Sequence, residues 1–107
     1  MLKDNKWRNP AAIVECEWLF NRIGDENIRI FDCTTYLHYT DDHPSKPYDV
    51  ESGFSDCKKN SIPGAAFIDV QNDLSDQDSI YSLTLPNFQR LGESIKRLGI
   101  GHPYHVI

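Results

Sequence analysis

Three cysteines, Cys16, Cys33 and Cys57, are the residues of this sequence best suited to covalent chemistry. A cysteine nucleophile works as a thiolate held in an electropositive cradle, often at the backbone N–H groups of a helix start. Cys33 follows the run Ile28-Arg29-Ile30-Phe31-Asp32, at the expected carboxyl end of a strand, where α/β folds carry their sites. Its neighbours are Asp32 and Thr34, and no glycine-rich loop or arginine follows. Cys57 precedes Lys58 and Lys59, whose charges would favour a thiolate. Cys16 lies between Glu15 and Glu17, a setting hostile to one. No CxxC pair is present, which excludes a cysteine-clamped zinc site and a thioredoxin-type dithiol. We read all three as free structural or incidental thiols, although two could still meet in space.

The remaining polar clusters read as solvated loops. His38 and His43 bracket Asp41 and Asp42, and His102 and His105 form His-x-x-His, but neither pair has a helix or hairpin context or a third ligand. Asp69, Asn72, Asp73, Asp76 and Asp78 suggest a calcium loop at first sight. Counted from Asp69, however, the sixth position is Leu74 where glycine is needed, and the twelfth is Ile80 where glutamate is needed. GxSxG, GxxxxGK and GxGxxG are all missing from the sequence. We therefore assign no catalytic, cofactor-binding or metal-ligating residue.

The elements that would position these residues are legible as an alternation of helix and strand. Val14, Trp18, Leu19 and Ile23 fall on one helical face, and Gly24 follows where a left-handed residue would end the helix. Ile28 to Cys33 is apolar at both parities except Arg29, which predicts a strand of a parallel sheet. Residues 34–61 read as a long excursion, with some helix around Tyr48–Lys59. Ile62-Pro63-Gly64 is a turn leading to a second short strand, Ala65 to Val70. Asn87 is an N-cap for an amphipathic helix with Phe88, Leu91, Ile95 and Leu98 as its apolar stripe, and Gly99 ends it. His105-Val106-Ile107 begins another strand. The pattern predicts one α/β domain with a parallel sheet, cut at its carboxyl end as that strand begins.

Composition bounds the functional classes. At 107 residues the chain is one domain or part of one, 39% hydrophobic and 25% charged, which is ordinary for a globular protein. Its net charge of −5 argues against nucleic-acid binding as the main task. No apolar run approaches the ~18 residues of a membrane span. Met1 to Trp7 has no apolar core of a signal peptide, so the cytoplasm is the default location.

Four segments resemble the amino-terminal domain of the tandem-domain, rhodanese-like sulfurtransferases, the family of thiosulfate and 3-mercaptopyruvate sulfurtransferases. Val14 with Glu17-Trp18-Leu19 resembles the opening helix. Asn27 to Leu37 resembles the first core strand, its strand-end aspartate and the turn after it. Ser61-Ile62-Pro63-Gly64-Ala65-Ala66-Phe67-Ile68-Asp69 resembles the family's His-Ile-Pro-Gly-Ala…Asp signature, with Ser61 at the usual histidine. Leu85-Pro86 and Leu98-Gly99-Ile100-Gly101, closing on His105-Val106-Ile107, resemble the helix feeding the next strand. Glu15 stands where the family has a serine or threonine cap.

The resemblance implies a three-layer α/β/α fold with a mostly parallel sheet, residues 1–13 being a polar lead-in and 14–107 a partial amino-terminal domain. It also implies transfer of sulfane sulfur to cyanide or a thiol through a cysteine persulfide. That cysteine belongs to a loop of the family's carboxyl-terminal domain, and Cys16, Cys33 and Cys57 do not match it. The expected partner is that catalytic domain, in the same longer chain. The alternatives are a non-catalytic interaction or regulatory module and a remnant without independent function.

Overall fold

The computed structural model describes residues 8–41 and 47–107. Its centre is the segment Ile28–Asp32, formed by β1 (Ile28–Arg29) and β2 (Phe31–Asp32) with Ile30 between them. Both edges of this segment are hydrogen-bonded. On one side lies β6 (His105–Val106), parallel, with Ile28 opposite His105 and Arg29 opposite Val106. The Ile107 N–H donates to the Arg29 carbonyl at 2.8 Å, and the Phe31 N–H returns to the Ile107 carbonyl at 2.9 Å. On the other side lies β5 (Ala66–Phe67), also parallel, with Phe31 opposite Ala66 and Asp32 opposite Phe67. The run thus forms the middle of a parallel ladder with a neighbour on each edge, while the burial on both faces that its apolar parities predict is complete only at Ile30, with Ile28 and Phe31 half-buried. It ends at Asp32 rather than Cys33.

Residues 34–61 hold more structure than expected. β3 (Thr35–Tyr39) and β4 (Tyr48–Ser52) form an antiparallel pair, from Thr35 opposite Ser52 to Tyr39 opposite Tyr48. The Tyr39 and Tyr48 rings meet edge-on at 6.1 Å. Of the helix expected around Tyr48–Lys59, only the later part forms, as α2 (Phe54–Lys59), because Tyr48–Ser52 is strand; the Phe54 ring lies tilted 5.5 Å from that of Phe67. Gly53 joins the two elements. It is buried, its N–H donates to the Thr34 carbonyl at 2.8 Å, and a Cβ there would sit 2.8 Å from Thr34 Cγ2. Only glycine lets the chain pass so close to Thr34.

The helices partly match the expected periodicity. α1 (Cys16–Phe20) is a single short helix, with Val14 ahead of it and Ile23 in the turn beyond. Glu15 occupies its N-cap without making a side-chain cap bond, which leaves the first turn to water. α4 (Phe88–Leu98) runs as predicted. Asn87 Oδ1 accepts from the Arg90 N–H at 2.9 Å. Gly99, at φ +76°, closes the other end with its N–H on Lys96 and the Ile100 N–H on Ile95, a Schellman pair. The apolar stripe is shorter than expected. Leu91, Ile95 and Leu98 are half-buried, but Phe88 is 85% exposed. Helical side chains tilt toward the N-terminus, so one in the first turn projects past the helix end.

The turn at Ile62–Ala65 is a hydrogen-bonded type II turn. The Ala65 N–H donates to the Ile62 carbonyl at 3.0 Å, Pro63 takes the first central position and Gly64 the second, at φ +84°. The strand after it is shorter than Ala65–Val70. Asp69 Oδ1 accepts from the Asn72 N–H at 3.1 Å and caps α3 (Val70–Asp73), so Val70 is helical. Among the described residues the buried apolar side chains are Leu19, Ile30, Ile68 and Pro86. Of the expected lead-in, residues 1–7 lie outside the described residues, and Pro10–Ala12 form a 3-10 turn. Among the described residues no helix is long and apolar enough to cross a membrane.

Candidate functional site

The carboxyl end of the central strand gathers the chemistry-bearing groups. Asp32 Oδ1 accepts from the Thr34 N–H at 2.9 Å and from the Thr34 hydroxyl at 2.7 Å. This pair of hydrogen bonds to one carboxylate oxygen turns the chain out of the sheet immediately after the strand. The Thr34 hydroxyl first, then its N–H, hold the Asp32 carboxyl below its ordinary value, because both bonds favour the charged form. A cleft of roughly 430 Å³ opens here, lined by Ile30, Phe31, Asp32, Cys33, Thr34, Ile62 and Ala65.

Cys57, on α2, lies close enough to the same carboxylate to feel its charge, with Ser61 also nearby. Burial first, then the Asp32 carboxylate, push the Cys57 thiol above its ordinary value, with Ser61 opposing. The expectation that Lys58 and Lys59 would favour its thiolate is therefore corrected. Adjacent helical positions point about 100° apart, so sequence neighbours are not facing partners. The Lys58 ammonium instead lies 5.7 Å from the Phe54 ring. A carboxylate beside Cys57 disfavours its thiolate, the opposite of the setting of an activated nucleophile.

Cys33 is exposed on the cleft, and neither Lys nor Arg lines it. Cys16 is exposed on α1. All three cysteines are free thiols. The histidine pairs separate. His38 Nε2 lies 2.6 Å from Glu51 across the hairpin, His105 stacks edge-on to Trp18 at 5.5 Å, and His43 with Asp42 lies outside the described residues. Among the described residues no group of three or more His, Cys, Asp and Glu could hold a metal ion.

The acidic segment is tied down rather than simply solvated. Asp69 caps α3, Arg97 lies 3.3 Å from Asp73, and Arg90 lies 3.9 Å from Asp76 and 3.7 Å from Asp78. Sequence reasoning missed Thr34 and the pair in which the Tyr36 hydroxyl donates to Asp56. The Asp-x-Thr spacing was a usable signal for the first. The second depends on how the hairpin lies against α2 and has no local signature.

No family model matches the sequence. Among curated proteins the chain is similar to thiosulfate/3-mercaptopyruvate sulfurtransferase 2 of Arabidopsis thaliana, at 27% identity over 88 residues. The aligned region is 82% of this chain and 23% of that relative, so the chain spans about a quarter of the relative's length. The mixed α/β architecture, with its parallel pairs and antiparallel hairpin, is compatible with a rhodanese-like fold. The similarity supports a rhodanese-like relationship.

Proposed function

We propose that residues 14–107 are a non-catalytic, amino-terminal rhodanese-like portion of a cytoplasmic sulfurtransferase. In this reading the chain belongs to a three-layer α/β/α domain and works beside a carboxyl-terminal rhodanese-like catalytic domain. That domain moves sulfane sulfur from thiosulfate or 3-mercaptopyruvate to cyanide or a thiol. The observation that carries the reading joins its two most specific segments. The strand ending in Asp32 and the strand leaving the Ile62–Ala65 turn are adjacent and parallel, with Phe31 opposite Ala66. Similarity to a thiosulfate/3-mercaptopyruvate sulfurtransferase supports the activity class.

The state of Cys57 supports a non-catalytic role. Sulfur transfer needs a thiolate to attack the outer sulfur of the donor. With thiosulfate, sulfite leaves with the bonding electron pair and a persulfide forms on the cysteine. An acceptor then attacks the terminal sulfur and regenerates the thiolate. A carboxylate beside the Cys57 thiol disfavours the thiolate that the first attack needs. The Asp32 end of the strand instead supplies one wall of a cleft to be completed by the catalytic domain.

The test has two arms. The chain alone is assayed with thiosulfate and cyanide for thiocyanate, and with 3-mercaptopyruvate for pyruvate. No turnover is expected. Turnover lost on Cys33→Ser or Cys57→Ser would overturn the non-catalytic assignment. In the second arm, a carboxyl-terminal rhodanese-like domain is titrated into labelled chain, and shifts are expected in residues at the Asp32 end of the central strand. No complex at any concentration would favour an independent interaction or regulatory module.

A further inference from the structure

No further inference is drawn: the strongest candidate, the apolar groove between α1 and the Ile62–Pro63 turn, lined by Cys16, Leu19, Phe20 and Ile23, carries none because nothing in the structure shows what covers it.

Discussion

Arg29, in the central strand, donates from Nη1 to the carbonyl of Gly99 at 3.0 Å, joining the strand to the end of α4 across 70 residues of sequence. Its guanidinium also lies 3.7 Å from the centre of the Tyr104 ring. The half-buried cation is thereby used twice: it satisfies a carbonyl at a helix C-terminus, where positive charge is favoured, and it covers an aromatic face.

Arg29→Ala should cost about 1–2 kcal/mol, from one hydrogen bond and one stacked cation. Urea denaturation checks this, with an unchanged midpoint as the contrary result. Gly99→Ala should also destabilise, because φ is +76° and an added Cβ would run into Arg29 Nη1. The two substitutions should cost less together than their sum, since Arg29→Ala takes away the guanidinium that the added Cβ would strike.

Gly64 and Gly53 should fail for different reasons. A Cβ at Gly64 meets nothing within 4 Å, so Gly64→Val acts through φ +84° and should cost about 1–3 kcal/mol. Gly53 has an ordinary φ of −84°, but its Cβ would strike Thr34, including the backbone carbonyl oxygen at 2.9 Å. Gly53→Ala should therefore destabilise and shift the amide resonances of Thr34 and Thr35, whereas Gly64→Val should leave those in place.

The three thiols should alkylate in an order set by their surroundings. Cys16 and Cys33 are exposed, while Cys57 is half-buried and near the Asp32 carboxylate. At mildly alkaline pH, iodoacetamide should label Cys57 last, and Asp32→Asn should speed its labelling by removing the adjacent charge. Site-resolved mass spectrometry measures the order, and a fastest-labelling Cys57 would contradict the placement of Lys58 and Lys59.

The same pair should shape stability against pH. The folded-state pKa of Asp32 is depressed below the ordinary 3.8. Its contribution is thus present above the unfolded value and lost as pH falls through the folded one. The Cys57 pKa is raised above the ordinary 9.0. Its contribution is complete below the unfolded value and is lost as pH rises through the folded one. Denaturation midpoints measured from pH 2 upward should fall less steeply at the acid end in Asp32→Asn than in wild type.

Two aromatic side chains should be removable at little cost. Phe20 is 74% exposed and Phe88 is 85% exposed. Phe20→Ser and Phe88→Ser should each change stability by less than about 0.5 kcal/mol while lowering the binding of a hydrophobic dye. Ile68→Ala removes a buried side chain and should cost about 2–5 kcal/mol. Thermal melts and dye titrations separate the two classes.

Some of this architecture is written locally in the chain. Asn87, the stripe from Leu91 to Leu98 and Gly99 specify α4 because cap, period and left-handed stop act within a few residues of one another. The Ile62–Ala65 turn is specified by Pro63 and Gly64, whose φ preferences are intrinsic. The run Ile28–Asp32 announced a central parallel strand, since apolar residues at both parities need cover on both sides of a sheet. The hairpin was legible in one strand only. Tyr36, Leu37, His38 and Tyr39 of β3 are all exposed and show no alternation, whereas Tyr48, Val50 and Ser52 of β4 are half-buried and alternate with exposed Asp49 and Glu51, a period-2 signal that went unread. The approach of Cys57 to Asp32 was invisible for a different reason. It depends on where the hairpin and α2 return the chain, while Lys58 and Lys59, adjacent in sequence, rotate away around the helix. Tertiary structure alone decided that this thiol lies beside a carboxylate instead of an ammonium, and so that its surroundings disfavour the thiolate.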